Sequence, residues 1–262
     1  MISRVGFFQF VKGYGHPIPE LEKAIDKSTE PVMDSLIVLP EGFNIGKRYD
    51  EPGQSNYQPN VLRELRRIAL EKGVAFVAGL IVKDCVFGRN PPYSSARLIV
   101  GRRSEIICFK HNPDGTEVGS HIEQIRNYRC CRKGLCDRHN PGECDNVTIA
   151  ALICRDWFTE SGNKERHETL RTELSRSKAA YKVVCVPAHT HFQQPRDLNF
   201  DGTAETWKGC FVILANSHPS GEPSFIKVVD DDGTVTTRTP ERKRSENEIV
   251  LTSIQAIGPR SR

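Results

Sequence analysis

Short, wholly apolar runs of strand length alternate along this chain with segments of helical periodicity. That alternation constrains its fold more than any other feature. Val74-Ala-Phe-Val-Ala-Gly-Leu-Ile-Val82 contains no polar residue, the pattern of a strand buried on both faces. Before it, Val61, Leu62, Leu65, Ile68 and Ala69 form one helical face, with Arg63, Glu64, Arg66 and Arg67 opposite. Gly73 is placed to stop that helix. Arg4–Phe10, the run Ser35–Leu39, Lys182–Val186 and Cys210–Ala215 repeat the strand pattern, and Pro17–Asp26 repeats the helical one through Leu21, Ala24 and Ile25. Ala96–Val100 and Glu105–Phe109 flank a short basic turn and read as a hairpin. So do Ile226–Val229 and Thr234–Thr236 around Asp230-Asp-Asp-Gly233. Lys164–Lys178 reads as a long surface helix with few apolar anchors. The expected class is α/β, with sheets covered by helices. Periodicity alone leaves several α/β folds open.

At 262 residues the chain is long enough for one α/β domain with a well-buried core, and 1–262 is read as a single domain. No Ser/Gly tract, proline repeat or long like-charge block suggests a linker. The sequence enters a strand soon after Met1 without a signal-peptide apolar region, and no apolar run approaches the ~20 residues that cross a bilayer. A soluble, cytoplasmic protein without membrane association is expected. The net charge of +4 does not call for nucleic acid, which demands a concentrated basic face. The basic clusters Arg126–Arg138 and Arg238–Arg244 are interrupted by acidic, cysteine or turn residues and read as solvated surface.

The chain has 9 cysteines, an odd number that argues against a disulfide framework. Cys130, Cys131, Cys136 and Cys144 cluster around His139. Thiolates and an imidazole can hold zinc, but the cluster has no Cys-x-x-Cys knuckle. It is read as a loop of reduced cysteines that binds no metal. Cys85, Cys108, Cys185 and Cys210 lie in or beside apolar runs and read as packing.

Cys154 differs from these. It closes the run Asn146-Val-Thr-Ile-Ala-Ala-Leu-Ile-Cys154 and precedes a polar, aromatic exit, Arg155-Asp-Trp-Phe158. A thiol there is held by a rigid strand yet expected to face the open edge of a sheet, where α/β proteins place catalytic side chains. Ser35-Leu-Ile-Val-Leu-Pro-Glu41 likewise stops at a carboxylate, and Glu105-Ile-Ile-Cys-Phe-Lys110 at an amine. Singly, each has an ordinary reading: a packed thiol or a solvated charge. If the strand ends converge, they supply a base, a cation and a nucleophile.

These residues resemble the motifs of the nitrilase, or carbon–nitrogen hydrolase, superfamily. Leu39-Pro40-Glu41 is similar to its glutamate motif, Phe109-Lys110-His111 to its lysine motif and Ile153-Cys154-Arg155-Asp156 to its cysteine motif, in the family's order. Val186-Pro-Ala188 and Ala215-Asn216 are secondary matches, and the likeness covers nearly the whole chain. There are departures. Arg155 stands where an aromatic is common, and Trp157-Phe-Thr-Glu160 replaces the more usual Arg-Phe-Pro-Glu. Thr116-Glu117 is the nearest match to a Gly-Glu pair that follows the lysine in many members. The resemblance implies a four-layer α-β-β-α sandwich of the nitrilase type and a homodimer or larger assembly.

The resemblance also implies an amidase-like hydrolase that cleaves a non-peptide C–N bond of a small molecule through a Cys154 thioester. Nitrilase or acyltransferase activity is a variant of this reading. It needs no cofactor. Glu41 would act as general base and acid, and Lys110 would favour the thiolate and stabilise the oxyanion together with the backbone N–H of Arg155. Glu117 would be a second carboxylate, with Glu123 as the alternative. His189 and His191 would face the substrate rim, or be ordinary loop histidines. Asp156 is expected to fix the turn. Trp157 either lines the pocket or packs beneath the exit helix. The reading from another class is a non-catalytic binding or regulatory protein on the same scaffold, metal-linked through Cys130–Cys144. Ammonia release from an amide panel separates the two, and zinc content per chain tests the second.

Overall fold

The computed structural model describes residues 2–10, 16–45, 60–82, 93–110, 133–134, 147–157, 164–189, 200–217, 224–237 and 246–255. The strands are β1 (Arg4–Gln9), β2 (Ser35–Leu39), β3 (Ala75–Val82), β4 (Tyr93–Val100), β5 (Arg103–Phe109), β6 (Lys133–Gly134), β7 (Val147–Ala151), β8 (Tyr181–Ala188), β9 (Cys210–Asn216), β10 (Phe225–Val229), β11 (Val235–Thr237) and β12 (Glu248–Ser253). The helices are α1 (Pro17–Lys27), α2 (Val61–Lys72), α3 (Lys164–Ser175) and α4 (Phe200–Glu205), with a 3-10 turn over Cys154–Trp157.

The strands form two six-stranded sheets, in the orders β12-β1-β2-β3-β4-β5 and β11-β10-β9-β8-β7-β6. Each is built alike. Parallel strands occupy the centre, β1-β2-β3 in one and β7-β8-β9 in the other, and antiparallel strands flank them. Parallel neighbours need crossover connections, and these put helices on the sheet faces.

The two-residue period of a strand explains why the central runs carry no polar residue. On β2 and β3, Leu36, Val38, Ala75 and Val77 face the second sheet, and pack with Ile149, Val183, Cys185 and Ile213 of that sheet. The alternate residues Ile37, Leu39, Phe76 and Ala78 face outward onto Leu21 and Ile25 of α1 and Leu65 and Ile68 of α2. Both faces are covered, so both must be apolar. On the far side of the second sheet, Leu170 and Leu174 of α3 and Ala204 of α4 close the core. The result is the expected α-β-β-α sandwich. Gly73 ends α2 in the left-handed region, at φ 62°, as its position in the sequence predicted.

The hairpins are as expected, although β4 begins earlier, at Tyr93, and carries a register shift between Ala96 and Arg97. α3 ends at Ser175 and is anchored by buried His167, Leu170 and Leu174. The pairing of β6 with β7 was not foreseen, because two residues give no periodic signal. Among the described residues, no helix is long and apolar enough to cross a membrane.

Candidate active site

Pro40 ends β2, and the chain then turns through Glu41–Asn44 against β3. The side-chain amide of Asn44 donates to the Ile81 carbonyl at 2.7 Å, and its oxygen accepts from the Ile81 N–H at 2.8 Å. The Phe43 N–H donates to the Gly79 carbonyl at 3.0 Å, and that of Glu41 to the Ala188 carbonyl at the end of β8, at 3.4 Å. The Glu41 turn thus bridges the two sheets. Gly79 makes this approach possible: a Cβ there would lie 2.6 Å from the Glu41 Cα and 2.8 Å from the Pro187 Cβ.

The Glu41 and Lys110 side chains are each 2% exposed, with Nζ 2.9 Å from Oε1. The same Oε1 accepts a hydrogen bond from the Ser94 hydroxyl at 2.7 Å, while the Ser94 carbonyl accepts from the Lys110 N–H at 2.9 Å. Burying two charges is costly unless they are paired and further hydrogen-bonded. This pair meets both conditions.

Cys154 opens the 3-10 turn with φ 50°, a left-handed conformation that is uncommon for a residue with a Cβ and concentrates at functional sites. The turn is held from three directions. The Leu152 N–H donates to the Cys185 carbonyl at 3.0 Å, and the Asp156 N–H to that of Ile153 at 3.0 Å. Nε2 of buried His167 reaches the Asp156 carbonyl at 2.8 Å. A carbonyl only accepts, so Nε2 carries the proton. The fully buried Asp156 carboxylate pairs with Arg166 Nη1 at 3.0 Å. Nη2 of Arg166 donates to the Phe109 carbonyl at 3.2 Å and lies 3.6 Å from the Cys108 sulfur. Arg166 therefore ties the Cys154 turn to the strand end that presents Lys110.

Burial sets the titration of the neighbouring groups. It holds His167 below the ordinary histidine value; the Asp156 carbonyl opposes this, while Arg171 and Arg166 reinforce it. Burial also drives the Cys185 thiol far above its usual range and pushes Cys210 up to about 12. Both are protonated and inert near neutral pH.

No protein-family model matches the chain, and no curated protein sequence is significantly similar to it. Solved structures are similar in fold. The crystal structure of an amidase from Nesterenkonia sp. has a TM-score of 0.59 at 16% identity, covering 96% of this chain and 90% of that one. A variant of that amidase with the acetamide moiety of fluoroacetamide covalently added at its active-site cysteine has a TM-score of 0.60 at 16% identity, with coverage of 96% and 90%. A further variant, described as an amidase from the nitrilase superfamily, has a TM-score of 0.58 at 17% identity, covering 95% and 89%. The fold is that of the nitrilase superfamily.

Within this nitrilase-type sandwich, Glu41 and Lys110 are in direct contact, and the Cys154 turn is fastened to the same edge. Cys154 itself is 1% exposed, which corrects the expectation of an open thiol: it belongs to the larger hydrophobic core cluster. His189 follows β8 at the sheet edge, half-buried, and its Nδ1 shares a 2.7 Å hydrogen bond with the Ser217 hydroxyl. Trp157 is fully buried and stacked on Trp207, with ring centroids 6.1 Å apart and planes at 16°. Of its two expected roles, packing describes this ring. Of Arg155 only the backbone is described, as the second residue of the turn. Glu117, Glu123, His191 and the Cys130–Cys144 cluster, apart from β6, lie outside the described residues. Among the described residues, no group of three or more His, Cys, Asp or Glu side chains could hold a metal ion.

Sequence reasoning missed Asn44, Ser94, Arg166 and His167. Asn44 lies near enough to Glu41 to suggest a turn-forming amide. The other three carry no local signal.

Proposed function

We propose that the chain is a cysteine-dependent hydrolase of a non-peptide C–N bond, amidase-like, acting on a small-molecule amide. The buried Glu41–Lys110 pair carries this reading. A carboxylate and an ammonium kept out of water at two strand ends, one of them tied through Arg166 to a strained cysteine turn, are expensive for a fold to retain. They are what acyl transfer through a thiol requires.

In the proposed reaction, Glu41 removes the Cys154 proton as the sulfur attacks the amide carbon. Lys110 and the backbone N–H of Arg155 stabilise the negative oxygen of the tetrahedral intermediate. The intermediate collapses with breakage of the C–N bond. Glu41 returns the proton to the departing ammonia or amine, and a thioester remains on Cys154. Water activated by Glu41 or Glu117 hydrolyses it to the carboxylic acid and the free thiol. An amine in place of water would give acyl transfer on the same thioester. Every step uses groups of the chain, so the reaction needs no cofactor.

His189, fixed by Ser217 at the sheet edge, is proposed to orient the substrate. The protein is proposed to be a homodimer or larger assembly. Ammonia release from a panel of short aliphatic amides tests the activity. Wild-type protein should release ammonia stoichiometrically with acid, and Cys154→Ala should release none. Equal release by both would overturn the reading.

A further inference from the structure

We propose that Ser94 is a positioning residue that fixes the Glu41 carboxylate for proton exchange with Cys154. The proposal rests on the reading of Glu41 as base for Cys154. It adds a residue that this reading does not specify.

Ser94 is 1% exposed and meets both members of the buried ion pair. Its hydroxyl donates to Glu41 Oε1 at 2.7 Å. Its carbonyl accepts the Lys110 N–H at 2.9 Å. Its cross-strand partner on β3 is Ile81, the residue whose N–H and carbonyl are both bound by the Asn44 side chain. One strand pair therefore holds the backbone of the Glu41 turn through Ile81 and its carboxylate through Ser94.

Oε1 of Glu41 receives donors from both Ser94 and Lys110, so both help to set the orientation of the carboxylate. As the Cys154 S–H bond breaks, its electron pair stays on sulfur and an O–H bond forms on the Glu41 carboxylate. Lys110 keeps its three protons throughout. Without the Ser94 hydroxyl, Oε1 loses one of its donors, and the carboxylate is held less tightly about its terminal torsion, which is broad and roughly two-fold.

The test is a double-mutant cycle read by iodoacetamide alkylation of Cys154, followed by peptide mass spectrometry, and it needs no knowledge of the natural substrate. Ser94→Ala should slow alkylation about tenfold, on the order of the loss for one hydrogen bond to a charged group. In a Glu41→Gln background the same change should alter the rate less than about twofold, because a residue acting through Glu41 has no effect without it. At matched volume, Ser94→Thr should stay near wild type and Ser94→Val should match Ser94→Ala, with circular dichroism reporting the fold. If Glu41→Gln slows alkylation but Ser94→Ala does not, or if the Ser94 effect persists in the Glu41→Gln background, the role of Ser94 is overturned and the base reading stands. If Glu41→Gln leaves the rate unchanged, both fall.

Discussion

One guanidinium nitrogen of Arg166 lies 3.0 Å from Oδ2 of Asp156, joining the helix that follows the cysteine turn to the turn itself. The other donates to the carbonyl of Phe109, so a single side chain spans the turn and the strand end before Lys110. Removing it takes away a charge partner of the fully buried Asp156 carboxylate, and breaking a buried ion pair costs about 3 kcal/mol or more. Arg166→Met should lower the unfolding free energy by that order in urea titration. Adding Asp156→Asn should recover part of the loss, giving a non-additive pair.

Gly79→Ala should damage the site while leaving every side chain assigned to the chemistry chemically intact. The new methyl would meet the Glu41 backbone and Pro187, and overpacking of this kind costs about 1–3 kcal/mol. Part of the strain would be relieved by displacing the Glu41 turn. Amide turnover should therefore fall by about tenfold or more, since misplacing a reacting group by about an ångström costs up to about a hundredfold. Steady-state kinetics beside a thermal melt would reveal this. A lowered melting temperature with unchanged turnover would contradict it.

His167 should give the fold a pH dependence of defined sign. Its value in the folded protein is lowered by burial, so the unfolded chain binds the proton more tightly. Stability from this group is fully present above the unfolded value of about 6.5 and is lost as pH falls below it, levelling off once the folded form also protonates. Urea titrations between pH 8 and 5 should show this decline. His167→Gln, which does not titrate, should flatten it.

The sequence displayed the fold better than the site. Strands such as Ala75–Val82 were legible because both faces are covered, leaving no polar residue to blur the pattern. Glu41, Lys110 and Cys154 were legible because each stops an apolar run. Ser94 was not: a serine near the start of a strand has many ordinary uses, and its partner Glu41 lies 53 residues away. Arg166 sits in a stretch so charged that it reads as a surface helix, and its bond to Phe109 spans 57 residues. Trp157 remained open between pocket and packing until Trp207, from another part of the chain, was seen against it.

Reactivity should separate the cysteines. Cys185 and Cys210 are held as protonated thiols by burial, whereas Cys154, as deeply buried, is proposed to give its proton to Glu41, so brief treatment of folded protein with iodoacetamide near pH 7.5 should spare the first two and modify Cys154. Cys130→Ala and Cys136→Ala should retain most activity, since the proposed reaction uses neither. Peptide mapping of the alkylated protein checks the first expectation, and ammonia release checks the second.

The thioester on Cys154 is tested most directly by intact-protein and peptide mass spectrometry after rapid acid quench of protein mixed with a short aliphatic amide. The account predicts a mass increase equal to the acyl group, located on the peptide containing Cys154, absent in Cys154→Ala and lost on standing as water hydrolyses it. Ammonia release with no acyl adduct at any quench time, or an adduct on a different residue, would contradict it.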